Sequence, residues 1–329
     1  MKAWRVNELG DPLDVLTLEE VDAPLAGPGE AVVEVGAASL NFFDILLCQG
    51  TYQEKPPLPF TPGAEVGGTV RAVGDGVTTV REGQRVLAMP PLPRGGLAQR
   101  VAVPAAAMLP IPDAMPFEDA AAHFIVYQTA YVGLHRRARL QPGEVVLVHA
   151  GAGGVGSAAI QLAVAAGARV IATAGRAEKV AVCRQLGAEE AIDYREGDFV
   201  ERVKELTGGR GADVIFDPVG GDVFDRSRRS VAFEGRLVVV GFAGGRMAEA
   251  PTNHALVKNY AVVGLHWGLY RKMAPRVIVE THQDLMRLYR EGKIKPLIFR
   301  DVPFTEVPAA LALIGSRATW GKLVTQPNG

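Results

Sequence analysis

The chain has 329 residues with an ordinary globular composition, 48% apolar and 22% charged. Its 35 lysines and arginines nearly balance 36 acidic residues, so the formal net charge is −1. This balance argues against a protein that holds nucleic acid mainly by electrostatics, and against a polybasic membrane binder. No apolar run is long enough for a membrane span. The two cysteines, Cys48 and Cys183, are too few for a disulfide scaffold and favour a reducing, cytoplasmic setting.

The first third of the chain predicts short strands separated by turns, which is typical of a compact, barrel-like β domain. Proline clusters at 56–59 and 90–93 cannot lie inside a central strand and are predicted to be loops. The candidate strands are 32–35, 69–73, 85–88 and 98–103, and one helix is predicted at 41–47.

From residue 117 the pattern changes to an apolar helix, predicted over 117–138, and then to strands alternating with helices. Repeated β-α-β units with fully apolar strands indicate a parallel, doubly wound sheet buried on both faces. The predicted strands are 145–149, 169–173, 191–193, 213–217, 237–241 and 261–265, and the helices are 154–166, 177–186, 198–206 and 223–233. The remaining tail is short for a domain of its own, so we expect it to pack back on the first domain.

The most informative segment is a glycine motif between a predicted strand and a predicted helix. Gly151, Gly153 and Gly156 have the G-x-G-x-x-G spacing. One glycine makes the tight turn, one lets backbone N–H groups approach a pyrophosphate, and one lets the helix pack close to the strand. The helix N-terminus then faces the phosphate with its positive end. An ordinary turn in a glycine-rich chain is the alternative, but the strand-turn-helix-strand context favours a dinucleotide site.

The end of the second strand of this unit indicates which dinucleotide is bound. An NAD site usually places an acid there to hold the ribose 2′-hydroxyl. Here small residues are followed by Arg176 and Lys179, with Glu178 between them. Space and positive charge suit a 2′-phosphate, so the sequence predicts NADPH. The alternative is that both cations are solvated surface charges.

Several other chemistries have no matching motif. There is no HExxH zinc motif and no G-x-S-x-G elbow, and no histidine lies at ligand spacing from another histidine or a cysteine. His149 ends a predicted buried strand, where a core role is the favoured interpretation. A hydride-transfer enzyme needs none of these motifs, because the cofactor carries the chemistry.

Three segments carry a resemblance to a known family: ASLNFFD at 38–44, PGAEVGG at 62–68 and HAGAGGVG at 149–156. The chain resembles the zinc-independent branch of the medium-chain dehydrogenase/reductase superfamily, in particular NADPH:quinone oxidoreductases of the zeta-crystallin type. The resemblance implies an α/β fold in which a doubly wound parallel Rossmann sheet is inserted in a GroES-like β-barrel catalytic domain. The expected domains are 1–122 plus 267–329 for catalysis and 123–266 for NADP(H) binding.

The resemblance also implies how hydride transfer proceeds. In zinc alcohol dehydrogenases the equivalents of Asn41 and Ala64 are Cys and His ligands, whereas neither residue here is a metal ligand. Without a Lewis acid, reduction of a simple ketone is hard, because an alkoxide must be stabilised. A quinone accepts the hydride into a delocalised anion and needs less help. The expected reaction is therefore hydride transfer from NADPH to a quinone without zinc.

Site residues follow from the motif together with the resemblance. Asn41 and Tyr52 are expected to position the substrate beside the nicotinamide, Asn41 as a hydrogen-bond donor to a carbonyl oxygen, with Leu46 and Trp267 lining the cleft. The residues expected to bind the cofactor are Thr129, Gly151, Gly153, Gly154, Val155, Gly156, Gly175, Arg176, Lys179, Tyr194, Phe242 and Arg317. Asn41 is also a candidate helix N-cap, and core packing is an equal alternative for Trp267.

Two other functions remain open at this point. An enoyl-thioester or α,β-unsaturated carbonyl reductase would need a proton donor, for which Tyr52 is the only candidate. A nucleotide-binding structural or RNA-binding protein without turnover is the alternative from another class. The apolar run 261–265 is a suitable edge strand for the homodimer that the resemblance implies.

Overall fold

A computed structural model describes all 329 residues. The strands are β1 Lys2–Val6, β2 Leu16–Glu20, β3 Glu30–Leu40, β4 Val66–Val73, β5 Arg85–Ala88, β6 Arg100–Pro104, β7 Met108–Pro110, β8 Val145–Val148, β9 Arg169–Ala174, β10 Glu190–Asp193, β11 Ala212–Asp217, β12 Val231–Val239, β13 Ala261–Gly264, β14 Ile298–Val302 and β15 Lys322–Thr325. The helices are α1 Pro12–Val15, α2 Phe42–Cys48, α3 Phe117–Tyr131, α4 Gly154–Ala165, α5 Ala177–Gln185, α6 Phe199–Leu206, α7 Gly221–Ser227, α8 Thr252–Lys258, α9 Trp267–Met273, α10 Pro275–Arg290 and α11 Val307–Gly315. None of these helices combines the length and apolar character that crossing a bilayer requires.

The chain divides into two compact units. The first unit comprises Met1–Ile125 and Pro296–Gly329, and the second comprises Val126–Lys295. The second unit is therefore an insertion in the sequence of the first. Its boundary differs from the expected one, because α9 and α10 belong to the second unit rather than to the first.

Hydrogen bonds between side chains of α3 and residues of α10 explain where α10 belongs. The Gln128 side-chain amide donates to the Ile278 carbonyl oxygen at 2.9 Å, and the Tyr131 hydroxyl donates to Asp284 at 2.6 Å. Tail length alone could not indicate these contacts. Of the tail that is expected to pack on the first domain, only Pro296–Gly329 belongs to the first unit.

The first unit is built on a seven-stranded sheet. Its order is β14-β15-β3-β4-β5-β7, and β6 also pairs with β3. All of its pairs are antiparallel except β14 with β15. The long strand β3 contributes Val33 and Val35 to the buried core. The last strand returns to β3 with Leu323 opposite Leu40, which places Lys322 next to Asn41, the residue before α2.

The second unit contains the predicted parallel sheet, in the order β10-β9-β8-β11-β12-β13. Numbered within the unit, this order is 3-2-1-4-5-6, the Rossmann arrangement. Strand β8 is buried along its whole length, as its uninterrupted valine and leucine run predicts. The strand order reverses between β8 and β11. Open α/β sheets bind ligands at the carboxyl ends of the strands beside such a reversal.

Two predicted elements differ from the structure. The helix expected over 223–233 ends at Ser227, where the Ser230 N–H donates to the Ser227 carbonyl oxygen at 2.9 Å and closes a turn. Val231 then pairs with Ala212 as the start of β12. The helix expected over 117–138 is regular only to Tyr131, and the chain continues as π-helix over Val132–Arg137.

Candidate active site

The bend after β8 is shaped for glycine. A Cβ atom on Gly156 would lie 2.2 Å from the Ala150 carbonyl oxygen, which is far inside contact distance. On Gly151 it would meet the Cys183 Sγ at 2.9 Å. Both glycines are buried. They let α4 start close against the strand, as the motif predicts.

The residues between these two glycines present backbone donors. Gly153, Gly154 and Val155 are half-buried, and Gly153 is the N-cap residue of α4 without a side chain to cap the helix. The first N–H groups of a helix lack intrahelical acceptors, and the helix dipole makes this end positive. The bend therefore has the geometry and charge that fit a pyrophosphate.

A second group of predicted residues meets at the end of β9. A Cβ atom on Gly175 would lie 2.7 Å from the Tyr194 hydroxyl oxygen, so the tyrosine lies over the glycine. Lys179 is half-buried in the first turn of α5, after the exposed Arg176. Burial and the nearby Arg176 charge lower the pKa of Lys179. An anion bound here would favour the charged lysine and oppose both effects, as expected of a 2′-phosphate site.

Other predicted residues of the second unit have different environments. Phe242 contacts Gly220, since a Cβ atom on that glycine would lie 2.7 Å from the Phe242 ring. Thr129 is half-buried on α3. Trp267 begins α9 and is only 6% exposed. Their contacts with a cofactor or substrate remain predictions.

Arg317 belongs to the first unit, unlike the residues around Gly175. It is exposed and has a left-handed backbone, with φ of 56°, after the end of α11. Its expected contact with the 2′-phosphate also remains a prediction.

His149 has the core role that the sequence favoured. Its two ring nitrogens lie 2.9 Å from the Thr173 hydroxyl and 2.8 Å from the Ser227 hydroxyl. The ring packs edge-on against Phe199, with centroids 4.8 Å apart. Burial lowers the pKa of His149 to about 3, so the folded protein holds it neutral.

This burial predicts a pH effect on stability. Because the folded pKa is lower than the unfolded one, the contribution of His149 is complete above the ordinary histidine pKa and is lost as the pH falls. Between about pH 7 and about pH 5, protonation of the unfolded state costs about 2 kcal/mol of unfolding free energy. Between these two pH values the unfolding free energy of the wild type, measured by urea unfolding, should change about 2 kcal/mol less favourably than that of His149→Gln. Asp44, whose folded pKa is raised, gains stability over the same window in both proteins, so only the difference between them reports on His149, and an equal change in both would contradict the assignment.

In the first unit, Asn41 is the N-cap residue of α2, and its side chain joins a buried network. The Lys322 ammonium donates to Asn41 Oδ1 at 2.5 Å and to Glu65 Oε1 at 3.0 Å. Asn41 Nδ2 donates to Glu65 Oε1 at 3.1 Å. The other oxygen of Glu65 accepts from the Ile125 N–H at 2.8 Å. A half-buried carboxamide is thus tied to a buried ion pair.

Asp44 holds the backbone around this network. Its carboxylate accepts hydrogen bonds from the backbone N–H groups of Asn41 at 2.8 Å and Gly63 at 3.0 Å. Burial raises the pKa of Asp44 to about 7, and these two donors oppose that rise. Because both oxygens serve backbone groups, Asp44 has a structural role.

Tyr52 and Leu46 lie together after α2. The Tyr52 N–H donates to the Leu46 carbonyl oxygen at 3.2 Å, and both side chains are half-buried. The Tyr52 ring packs against Phe43, with centroids 5.4 Å apart. Burial raises the pKa of Tyr52, so its hydroxyl stays protonated near neutral pH.

Glu65 and Lys322 are the residues of this network that the sequence did not single out. A signal was present for each one. Glu65 is an acid within a run of small and apolar residues, and Lys322 is a cation that begins the final strand, directly before the apolar Leu323 and Val324. A buried charge needs a partner, so each residue should have prompted a search for the other.

The structure contains no cluster of side chains that could bind a metal ion. No three His, Cys, Asp or Glu side chains are arranged so that they could hold a metal ion. Both cysteines are buried, and burial raises the pKa of each thiol to about 12. Neither is therefore a ready thiolate.

Two family descriptions match the chain. Residues 27–113 match the alcohol dehydrogenase GroES-like domain, and residues 154–282 match the zinc-binding dehydrogenase family. The quinone oxidoreductase-like protein 2 homolog of Nematostella vectensis is 41% identical over 325 residues, which cover 98% of this chain and 88% of that protein.

Two solved structures are also similar to this chain. Escherichia coli quinone oxidoreductase complexed with NADPH is 32% identical and covers 99% of this chain and 100% of its own, with a TM-score of 0.91. The quinone oxidoreductase from Thermus thermophilus, also solved in complex with NADPH, is 38% identical with the same coverage and a TM-score of 0.83. The Rossmann sheet and the glycine bend indicate the same family as these similarities, which extend over nearly the full length of the chain. The chain belongs to the medium-chain dehydrogenase/reductase superfamily, in its quinone oxidoreductase branch.

Proposed function

We propose that this protein is an NADPH-dependent reductase that transfers a hydride to quinones without a zinc ion. The observation that carries the proposal is the amino end of α4. It lies at the reversal point of the Rossmann sheet, uncapped and half-exposed, on a bend where Gly151 and Gly156 have no room for a side chain.

The choice of NADPH rests on the end of β9. Tyr194 lies over Gly175 there, and Lys179 and Arg176 supply positive charge where an NAD site carries an acid. Relatives solved in complex with NADPH support the same cofactor. When bound, NADPH supplies the hydride from C4 of its nicotinamide.

The choice of a quinone rests on the donors available in the first unit. Asn41 and Ala64 occupy the positions that the resemblance equates with zinc ligands, and neither binds a metal well. Asn41 can instead donate an N–H to a carbonyl oxygen. A neutral donor suffices when the acceptor delocalises the incoming charge, which favours a quinone over a simple ketone.

An acceptor screen tests this function. We expect the protein to oxidise NADPH with 1,4-benzoquinone at a kcat/KM at least about tenfold above that with crotonyl-CoA, since the site distinguishes their reaction chemistry. Dialysis against a chelator should leave the rate unchanged. Preference for the enoyl thioester would identify the α,β-unsaturated carbonyl reductase instead. Tight NADPH binding without oxidation by either compound would identify a nucleotide-binding protein without turnover.

We also infer a homodimer paired through β13. This strand ends the parallel sheet, so one of its edges has no partner in the chain. Val262 on it is 37% exposed. An apolar edge left open invites association, and pairing with a second copy would satisfy it.

A further inference from the structure

A buried ion pair lies beside the residue expected to bind the acceptor. Lys322 is 5% exposed and Glu65 is fully buried, and their charged atoms are 3.0 Å apart. Such a pair costs desolvation free energy and is weak support for stability by itself. Its geometry therefore points to another role.

The pair fixes the orientation of the Asn41 carboxamide. The ammonium donates to Oδ1 at 2.5 Å, and the carboxylate accepts from Nδ2 at 3.1 Å. Rotating the carboxamide by half a turn would place its oxygen against the carboxylate and its N–H groups against the ammonium. Both contacts would be repulsive, so one orientation is strongly preferred.

This orientation leaves one N–H of Asn41 available. Nδ2 carries two hydrogens, and one of them serves Glu65. Its other protein contact is the Ser39 carbonyl oxygen at 3.4 Å, which is long for a hydrogen bond. Asn41 is only half-buried, so a ligand oxygen can compete for this hydrogen. Hydrogen bonding of Oδ1 to an ammonium also polarises the amide and strengthens its N–H donor.

We propose that Lys322 and Glu65 are positioning residues that hold and polarise the Asn41 carboxamide so that its second N–H donates to the acceptor oxygen. This inference rests on the proposed function. Lys322 itself contacts neither a metal nor the substrate; it acts through Asn41. The register of β15 on β3 makes the contact possible, because it sets Lys322 next to Asn41 across 281 residues of sequence.

The test uses a double variant, Lys322→Met with Glu65→Gln, which removes both charges and keeps similar volumes. We expect kcat/KM for 1,4-benzoquinone to fall about 10- to 100-fold, the range of a charge-assisted hydrogen bond. The dissociation constant for NADPH, measured by fluorescence titration, should change less than about twofold.

Measuring the double variant in an Asn41→Ala background shows whether Lys322 and Glu65 act by positioning Asn41 or only by stabilising the fold. If Lys322 and Glu65 act through Asn41, the double variant should lower kcat/KM little further in an Asn41→Ala background. Additive losses would overturn the inference. Should the double variant fail to fold, Lys322→Arg is measured in both backgrounds, with the same expected non-additivity.

A matched control exists in the second unit. Arg236 and Glu144 form a half-buried pair with two hydrogen bonds, at 2.9 and 2.7 Å. Arg236→Met with Glu144→Gln should lower thermal stability yet leave the benzoquinone kinetics within about twofold. A folded Lys322/Glu65 variant with wild-type kinetics would overturn the inference while the proposed function stands. A wild type that reduces no quinone would instead overturn the proposed function and the inference together.

Discussion

Gly156→Ala is expected to lower the affinity for NADPH at least about 100-fold, because several charge-assisted hydrogen bonds to the pyrophosphate are lost together. The added methyl group would lie 2.2 Å from the Ala150 carbonyl oxygen, a backbone atom that cannot rotate away. The amino end of α4 must then move off the strand. Overpacking of this kind also costs about 1–3 kcal/mol of stability. Fluorescence titration with NADPH and thermal unfolding measure the two effects.

Two other glycines serve as controls for this change. Around Gly197 nothing lies within 4 Å of an added Cβ atom, so Gly197→Ala should alter neither measurement. On Gly153 the methyl group would meet only the Ala150 carbonyl oxygen, at 3.2 Å. Gly153→Ala should therefore spare stability more than Gly156→Ala but still weaken NADPH binding, because it intrudes where the pyrophosphate is expected. Wild-type affinity in Gly156→Ala would contradict the placement of the cofactor.

Lys179→Ala is expected to raise the dissociation constant for NADPH about 10- to 50-fold while changing that for NADH less than about threefold. The reason is that only the 2′-phosphate needs a cation at the end of β9. Lys179 is half-buried next to Arg176, so the charge that it gives to a phosphate is partly shielded from water. Titration of each cofactor in turn gives the two constants.

Lys204→Ala is the matched control for this prediction. Lys204 is also a half-buried helical lysine, and it lies on α6, where it pairs with Glu201 at 3.0 Å. Its removal should affect neither cofactor. Equal weakening of NADPH and NADH by Lys179→Ala would show that the lysine does not read the 2′-phosphate.

The parallel sheet was predictable because its strands are buried on both faces. Such strands appear as uninterrupted apolar runs, and β8 is the plainest of them. The start of β12 was not predictable in the same way. Val231, Ala232 and Phe233 form a short apolar run that fits a helix or a strand, and only the pairing of Val231 with Ala212 decides between them. Within β12, Glu234 is left-handed, with φ of 57°, at the place where the pairing with β11 is irregular.

The boundary of the inserted unit shows a second limit of sequence reasoning. The length of the tail suggested that everything after Trp267 returns to the first domain. Contacts between α3 and α10 keep the segment before Pro296 in the second unit. Such contacts depend on which helix faces meet, and the apolar spacing within one helix does not specify its partner.

The sequence alone determined the glycine bend, and it determined that β9 ends without an acid and is followed by cations. Both depend on neighbouring residues, since the lack of room for a side chain on Gly156 beside the Ala150 carbonyl oxygen and the absence of an acid are local properties. The tertiary structure alone decided that Asn41 shares its carboxamide with Glu65 and Lys322. That meeting joins residues up to 281 positions apart, and it exists because the register between β15 and β3 brings two distant parts of the chain side by side.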